Sequence, residues 1–93
     1  MNKEKRLHIF VAGVVQGVFF RAHARNAAQN FDLVGWVQNL SDGRVEIVAE
    51  GETERLRELL EWCHKGPRLA RVDNVEVTWD RATGEFKSFE VKY

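Results

Sequence analysis

Arg21 closes the stretch GVVQGVFFR at residues 13–21, in which two glycines four apart bracket the polar Gln16. No carboxylate stands near it in sequence to pair with the guanidinium. The residues before the bend, LHIFVA at 7–12, are rich in β-formers, and an alanine-rich helical pattern begins at Phe20. A glycine-containing bend between a strand and a helix turns several backbone N–H groups toward one point, and the first amides of a helix have no acceptor within it. Such a bend can seat an anion. Arg21, in the first helical turn, adds a fork that can take two oxygens of a phosphate or carboxylate. Gly13 and Gly17 would supply the permissive backbone and the close approach. The same spacing also suits a plain tight turn followed by a solvated arginine. It matches neither common phosphate motif: G-x-x-x-x-G-K-[ST] lacks its lysine here, and G-x-G-x-x-G is absent.

The elements that must hold this bend are legible from periodicity. In 7–12, Leu7, Ile9 and Val11 alternate with His8, Phe10 and Ala12, and both faces are mostly apolar, as in a central strand. Phe20, Ala24, Ala27, Ala28 and Phe31 fall on one helical stripe, with Arg21, Arg25 and Gln29 as a neighbouring polar row. LVGWVQN at 33–39 and RVEIVAE at 44–50 read as two strands joined through LSDG, a hairpin signal, with Val45, Ile47 and Ala49 on one face and Arg44, Glu46 and Glu50 on the other. Gly51 punctuates before ETERLRELLEWCH, whose Leu56, Leu59, Leu60 and Cys63 form a second helical stripe and whose acidic start suits the helix dipole. Lys65-Gly66-Pro67 ends it. Val75, Val77 and Trp79 mark another strand, Ala82-Thr83-Gly84 a turn, and Phe89, Val91 and Tyr93 a last short strand. The order β-α-β-β-α-β plus one strand predicts an α+β, ferredoxin-like split βαβ sandwich: a mostly antiparallel sheet, two helices on one face and a short extra C-terminal strand.

Composition bounds the function. Ninety-three residues fit one domain, 1–93. Net charge is zero, from 14 basic and 14 acidic residues, so no general field draws nucleic acid or anionic lipid. The charge is nevertheless uneven: five Lys/Arg against one Glu in residues 1–30, three Arg against eight Asp/Glu in 31–63. The end that carries the bend is locally basic, which suits a small anion. One cysteine, Cys63, allows no internal disulfide and points to a reducing, cytoplasmic setting. MNKEKR followed by LHIFVAGVVQGVFF and AHA loosely mimics a secretory leader, but His8 and Gln16 interrupt the apolar run and Arg21 sits beside the supposed cleavage site. No stretch approaches the ~20 apolar residues of a membrane span. His8, His23 and His64 have no metal-site spacing, and no cofactor motif appears. The aromatic-basic string of RNA-binding ferredoxin-like sheets is also absent. Trp36 is open to two readings, cover for the sheet face away from the helices or lining of a substrate's approach.

Val11-Ala-Gly13-Val-Val15-Gln16-Gly17-Val18-Phe-Phe20-Arg21 resembles the first acylphosphatase signature, G-x-V-Q-G-V-x-F-R, in full. Gly35-Trp36-Val37-Gln-Asn39-Leu-Ser-Asp42-Gly43-Arg-Val45-Glu46, with Gly51 beyond it, resembles the second equally fully. The resemblance spans essentially the whole chain and implies the same ferredoxin-like fold. It implies hydrolysis of the carboxyl-phosphate bond of small-molecule acyl phosphates. With no metal-site spacing and no net charge, the chain is expected to act without metal or cofactor, as a monomer, and without a nucleic-acid or membrane partner. Carried across, it makes Arg21 the phosphate-binding catalytic arginine and Asn39 the catalytic asparagine that positions water. The backbone amides of Val15, Gln16, Gly17, Val18, Phe19 and Phe20 become the phosphate cradle. Spacing alone would have left Asn39 a turn residue. An alternative from the same residues is a non-catalytic module that binds phosphate or an acyl phosphate.

Overall fold

The computed structural model describes residues 4–93, so the first three residues of the leader-like stretch lie outside it. Its elements are β1 (Glu4–Val14), α1 (Phe20–Asn30), β2 (Val34–Asn39), β3 (Val45–Glu52), α2 (Thr53–Lys65), β4 (Arg71–Arg81) and β5 (Phe89–Lys92). They form one five-stranded sheet in the order β4-β1-β3-β2-β5, antiparallel throughout except where β5 runs parallel to β2. This is the ferredoxin-like α+β fold. Helix α1 lies over β2 and β5, and α2 lies over β1, β3 and β4.

The core sits between sheet and helices and follows the stripes. Leu7, Ile9 and Val11 of β1 and Val45, Ile47 and Ala49 of β3 meet Phe20, Ala24, Ala27 and Ala28 of α1 and Leu56, Leu59 and Cys63 of α2. Cys63 is fully buried, and burial pushes its thiol pKa far above the ordinary range, so it acts as a small core residue. Truncating one of the buried leucines costs about 2–5 kcal/mol. The other sheet face is polar and aromatic. There His8 Nε2 meets Glu46 Oε2 at 2.6 Å and the Gln38 amide donates to Glu46 Oε1 at 2.7 Å. Lys92 stands over the Trp36 ring at 4.3 Å. Trp36 therefore covers the face away from the helices.

The structure alters two local expectations and adds a third finding. Gly13 is not part of the bend: β1 continues to Val14, with a register shift at Ala12/Gly13. Its φ of 136° and the Arg71 carbonyl of β4 where a Cβ would stand make it a close-approach glycine inside a bulge. Gly51 does not punctuate either. It lies within β3 and leaves room for the Leu33 side chain. Glu50 does point to the outward face, yet it is only 2 % exposed, because the segment between β4 and β5 folds over it. Its carboxylate accepts the Thr83 amide (2.9 Å), the Thr83 hydroxyl (2.9 Å) and the Gly84 amide (3.0 Å). Arg6 Nε stands 3.5 Å away, a charge contact without hydrogen-bond geometry. Burial pushes the Glu50 carboxyl up, but these donors more than offset it and hold its pKa below the ordinary value.

Candidate active site

At the end of the sheet opposite Glu50, the bend at residues 15–19 leaves β1 and enters α1. Apolar side chains pin it from beneath. Val15 and Phe20 are about 1 % exposed, Phe20 meets the Trp62 ring edge-on at 5.2 Å, and Val18 packs against the core. Gly17, at φ 76°, turns the chain, and Phe19 follows in the left-handed region at φ 62°. That conformation costs a residue with a side chain roughly 1–2 kcal/mol. Phe19 occupies the N-cap of α1, where Ser, Thr, Asp or Asn ordinarily caps the first amides; here no side chain does so and the first turn holds no acid. Among the described residues, none of the amides of residues 15–19 donates to a main-chain carbonyl. The bend thus presents a row of free donors at a helix N-terminus, where the partial positive charge of the helix also lies.

Asn39, the last residue of β2, ends beside this bend. Its Oδ1 is buried and has no hydrogen-bond partner among the described residues. An unsatisfied buried oxygen ordinarily costs about 1–3 kcal/mol, so a site that keeps one awaits a donor from outside the chain. Arg21, Asn39, Phe19, Arg25, Val91 and Tyr93 are among the residues lining one depression of about 310 Å³. The Arg21 guanidinium stacks over the Tyr93 ring, 4.8 Å from its centroid, and makes no ion pair among the described residues. Its donors remain available to an anion.

Gln16 acts through its side chain. Its Nε2 donates to the Leu40 carbonyl at 2.8 Å and to the Arg44 carbonyl at 2.9 Å, the two ends of the loop that follows Asn39. That loop is closed by its own bonds, Leu40 N to Arg44 O at 2.8 Å and Gly43 N to Leu40 O at 3.2 Å. Asp42 tightens it by accepting the Arg44 amide at 3.1 Å and the Arg44 Nε at 2.8 Å. The Arg44 amide holds the Asp42 carboxyl below its ordinary pKa. Gln16 therefore ties the amide row to the turn that carries Asn39.

Of the residues singled out from sequence, the depression gathers Arg21, Asn39, Val15, Gly17, Phe19 and Phe20. The Gln16 side chain turns instead to the hairpin and Val18 to the core. Sequence reasoning missed the uncapped, left-handed Phe19, the Tyr93 stack on Arg21 and the Gln16 tie. Only the last left a signal, a polar residue between glycines with nothing local to bond. His23 and His64 are exposed, and His8 is engaged with Glu46.

One sheet face covered by two helices, with an uncapped helix start and, among the described residues, an unpaired guanidinium and an orphaned amide oxygen at one end, defines a small α+β protein whose depression can seat an anion. The acylphosphatase family model matches residues 7–91. The chain is 54 % identical over 87 residues to the acylphosphatase of Methylococcus capsulatus, covering 94 % of this chain and 95 % of that protein. It is 50 % identical over 86 residues to that of Roseiflexus sp. (strain RS-1), covering 92 % of each. The crystal structure of acylphosphatase from Bacillus subtilis superposes with a TM-score of 0.92 at 37 % identity, covering 96 % of this chain and 99 % of that one. The chain belongs to the acylphosphatase family, enzymes that hydrolyse acyl phosphates. Among the described residues, no helix is long and apolar enough to cross a membrane.

Proposed function

We propose that the chain hydrolyses acyl phosphates at this depression, with Arg21 and the amides of residues 15–20 holding the phosphoryl group and Asn39 aiming the water. The observation that carries the reading is the pairing of unengaged donors with the orphaned Asn39 oxygen in one depression. The amides and the guanidinium offer fixed donors to the equatorial oxygens, where charge resides in the transition state. Asn39 Oδ1 accepts a hydrogen bond from water and orients it, but an amide is no base at neutral pH.

The water oxygen bonds to phosphorus in line with the departing group, and the bond from phosphorus to the acyl oxygen breaks. The electron pair leaves on a carboxylate, whose conjugate acid has a pKa near ~4, so the leaving group needs no proton. A phosphoryl oxygen takes the proton released by water, giving inorganic phosphate. No side chain in the depression is required as general acid or base, and the reaction rests on placement and charge. We read the chain further as a cytoplasmic monomer acting on small acyl phosphates, in keeping with its zero net charge and single buried thiol.

The test is phosphate release from benzoyl phosphate by the wild-type protein, with and without a chelator, across neutral pH. Turnover that persists in chelator with a flat pH profile supports the reading. Turnover lost on chelation, or a sharp dependence on one group near neutrality, overturns the mechanism. Phosphate binding without turnover makes the chain a binding module.

A further inference from the structure

The polar row of α1 contains a second arginine that the reaction above does not use. Arg25 is half-buried, makes no ion pair or hydrogen bond among the described residues, and lines the same depression as Arg21. Helix α1 lies over β5, and the Gln29 amide donates to the Phe89 carbonyl at 3.4 Å across that junction. A second depression, about 430 Å³, continues along it and shares Arg25, Val91 and Tyr93 with the first. The two make one groove that starts at Arg21, passes Arg25 and reaches Gln29 and Glu90. The amide row occupies the inner end, so a held phosphoryl group leaves this groove as a channel for its acyl substituent.

We propose that Arg25 is a specificity-determining residue that binds a carboxylate at the far end of the acyl group, so that monoacyl phosphates of short dicarboxylic acids are preferred substrates. This rests on the proposed function and extends it to the substrate class. Four residues along a helix advance about 6 Å, so Arg25 stands one turn from the phosphoryl-holding Arg21, within the reach of a short dicarboxylic tail. Val91 and Tyr93 offer apolar surface to the intervening carbons. A half-buried guanidinium left without a partner forms a two-pronged contact with a carboxylate more strongly than an exposed one.

Succinyl phosphate and butyryl phosphate test this cleanly, because they share chain length and differ in a terminal carboxylate against a methyl. Each enzymatic kcat/KM is taken after the same compound's spontaneous hydrolysis has been subtracted as background. The wild-type protein is expected to favour succinyl phosphate about ten-fold, mostly through KM, and the preference shrinks with added salt. Arg25→Gln, a change that keeps helix propensity, brings the ratio to about one, and Arg25→Lys retains part of it. A wild-type ratio near one, or a ratio unchanged in Arg25→Gln, overturns the inference. Butyryl phosphate hydrolysis reports on the underlying reaction separately. If butyryl phosphate is not hydrolysed at all, the proposed function fails, whatever Arg25 does.

Discussion

The two ends of β3 bury polar groups in opposite ways. At the Glu50 end, a carboxylate is surrounded by donors from its own chain: two amides, a hydroxyl and a nearby guanidinium. At the Val45 end, among the described residues, the neighbouring Asn39 keeps a buried oxygen unpaired, the amides of the bend lack main-chain acceptors, and Arg21 has no carboxylate. Both ends have similar polar stock. One is closed on itself and contributes stability; the other is held open at the expense of stability and, on the proposed reading, contributes function.

The sharpest way to break this contrast is Arg21→Ala, expected to lower kcat/KM for benzoyl phosphate by about 10²–10³ while the melting temperature hardly moves. Arg21→Lys should be nearly as damaging, since a point charge cannot reproduce the two-pronged grip. If the lysine variant keeps most of its turnover, the grip is not bidentate. Next comes Asn39→Ala, expected to reduce kcat by about 10² with inhibition by inorganic phosphate nearly unchanged. Because the change removes an unsatisfied buried oxygen, the folded state should be no less stable. Equal losses in turnover and phosphate affinity would mean that Asn39 supports the amide row and does not aim water.

The Glu50 end should behave in reverse. Glu50→Gln sets an amide against donors that now face an NH₂ group, costs about 1–3 kcal/mol and lowers the melting temperature by roughly 5–15 °C, with kcat at 25 °C unaffected. The pH dependence has a definite sign. The Glu50 and Glu46 carboxyls are both held below their ordinary value of 4.5: burial raises each, and hydrogen bonds and neighbouring positive charge outweigh it. The unfolded chain therefore takes up protons first as the solution is acidified. Their contribution is fully present above about pH 4.5 and drains away as pH falls through the lower folded-state values. Denaturation midpoints measured between pH 7 and 3 should show that slope, and Glu50→Gln should flatten it. An unchanged slope would remove Glu50 from the account of acid stability.

These contrasts mark what the linear chain reveals. The stripes of α1 and α2 and the alternation in β1 were legible because burial imposes a period on adjacent residues, and the fold class followed from the element order. The bend was legible as a bend. Its meaning was not, because a glycine says only that backbone freedom or space is needed: Gly17 needs the first and Gly13 both, inside a bulged strand. The burial of Glu50 was not legible because the residues that cover it, Thr83 and Gly84, come more than thirty positions later. Gln16 and Asn39 share that difficulty, since their partners or lack of them are set by contacts distant in sequence. Local pattern alone could not have told Asn39 from any other turn residue; the motif supplied that distinction.

Phe19 leaves α1 without a cap of its own. On the proposed reading the bound phosphoryl group completes that helix, so substrate and product are structural parts on loan. Inorganic phosphate at a hundred times its dissociation constant would add about 2.7 kcal/mol to the folding free energy. The melting point then becomes a gauge of occupancy, and buffer composition a determinant of how long the fold survives heat.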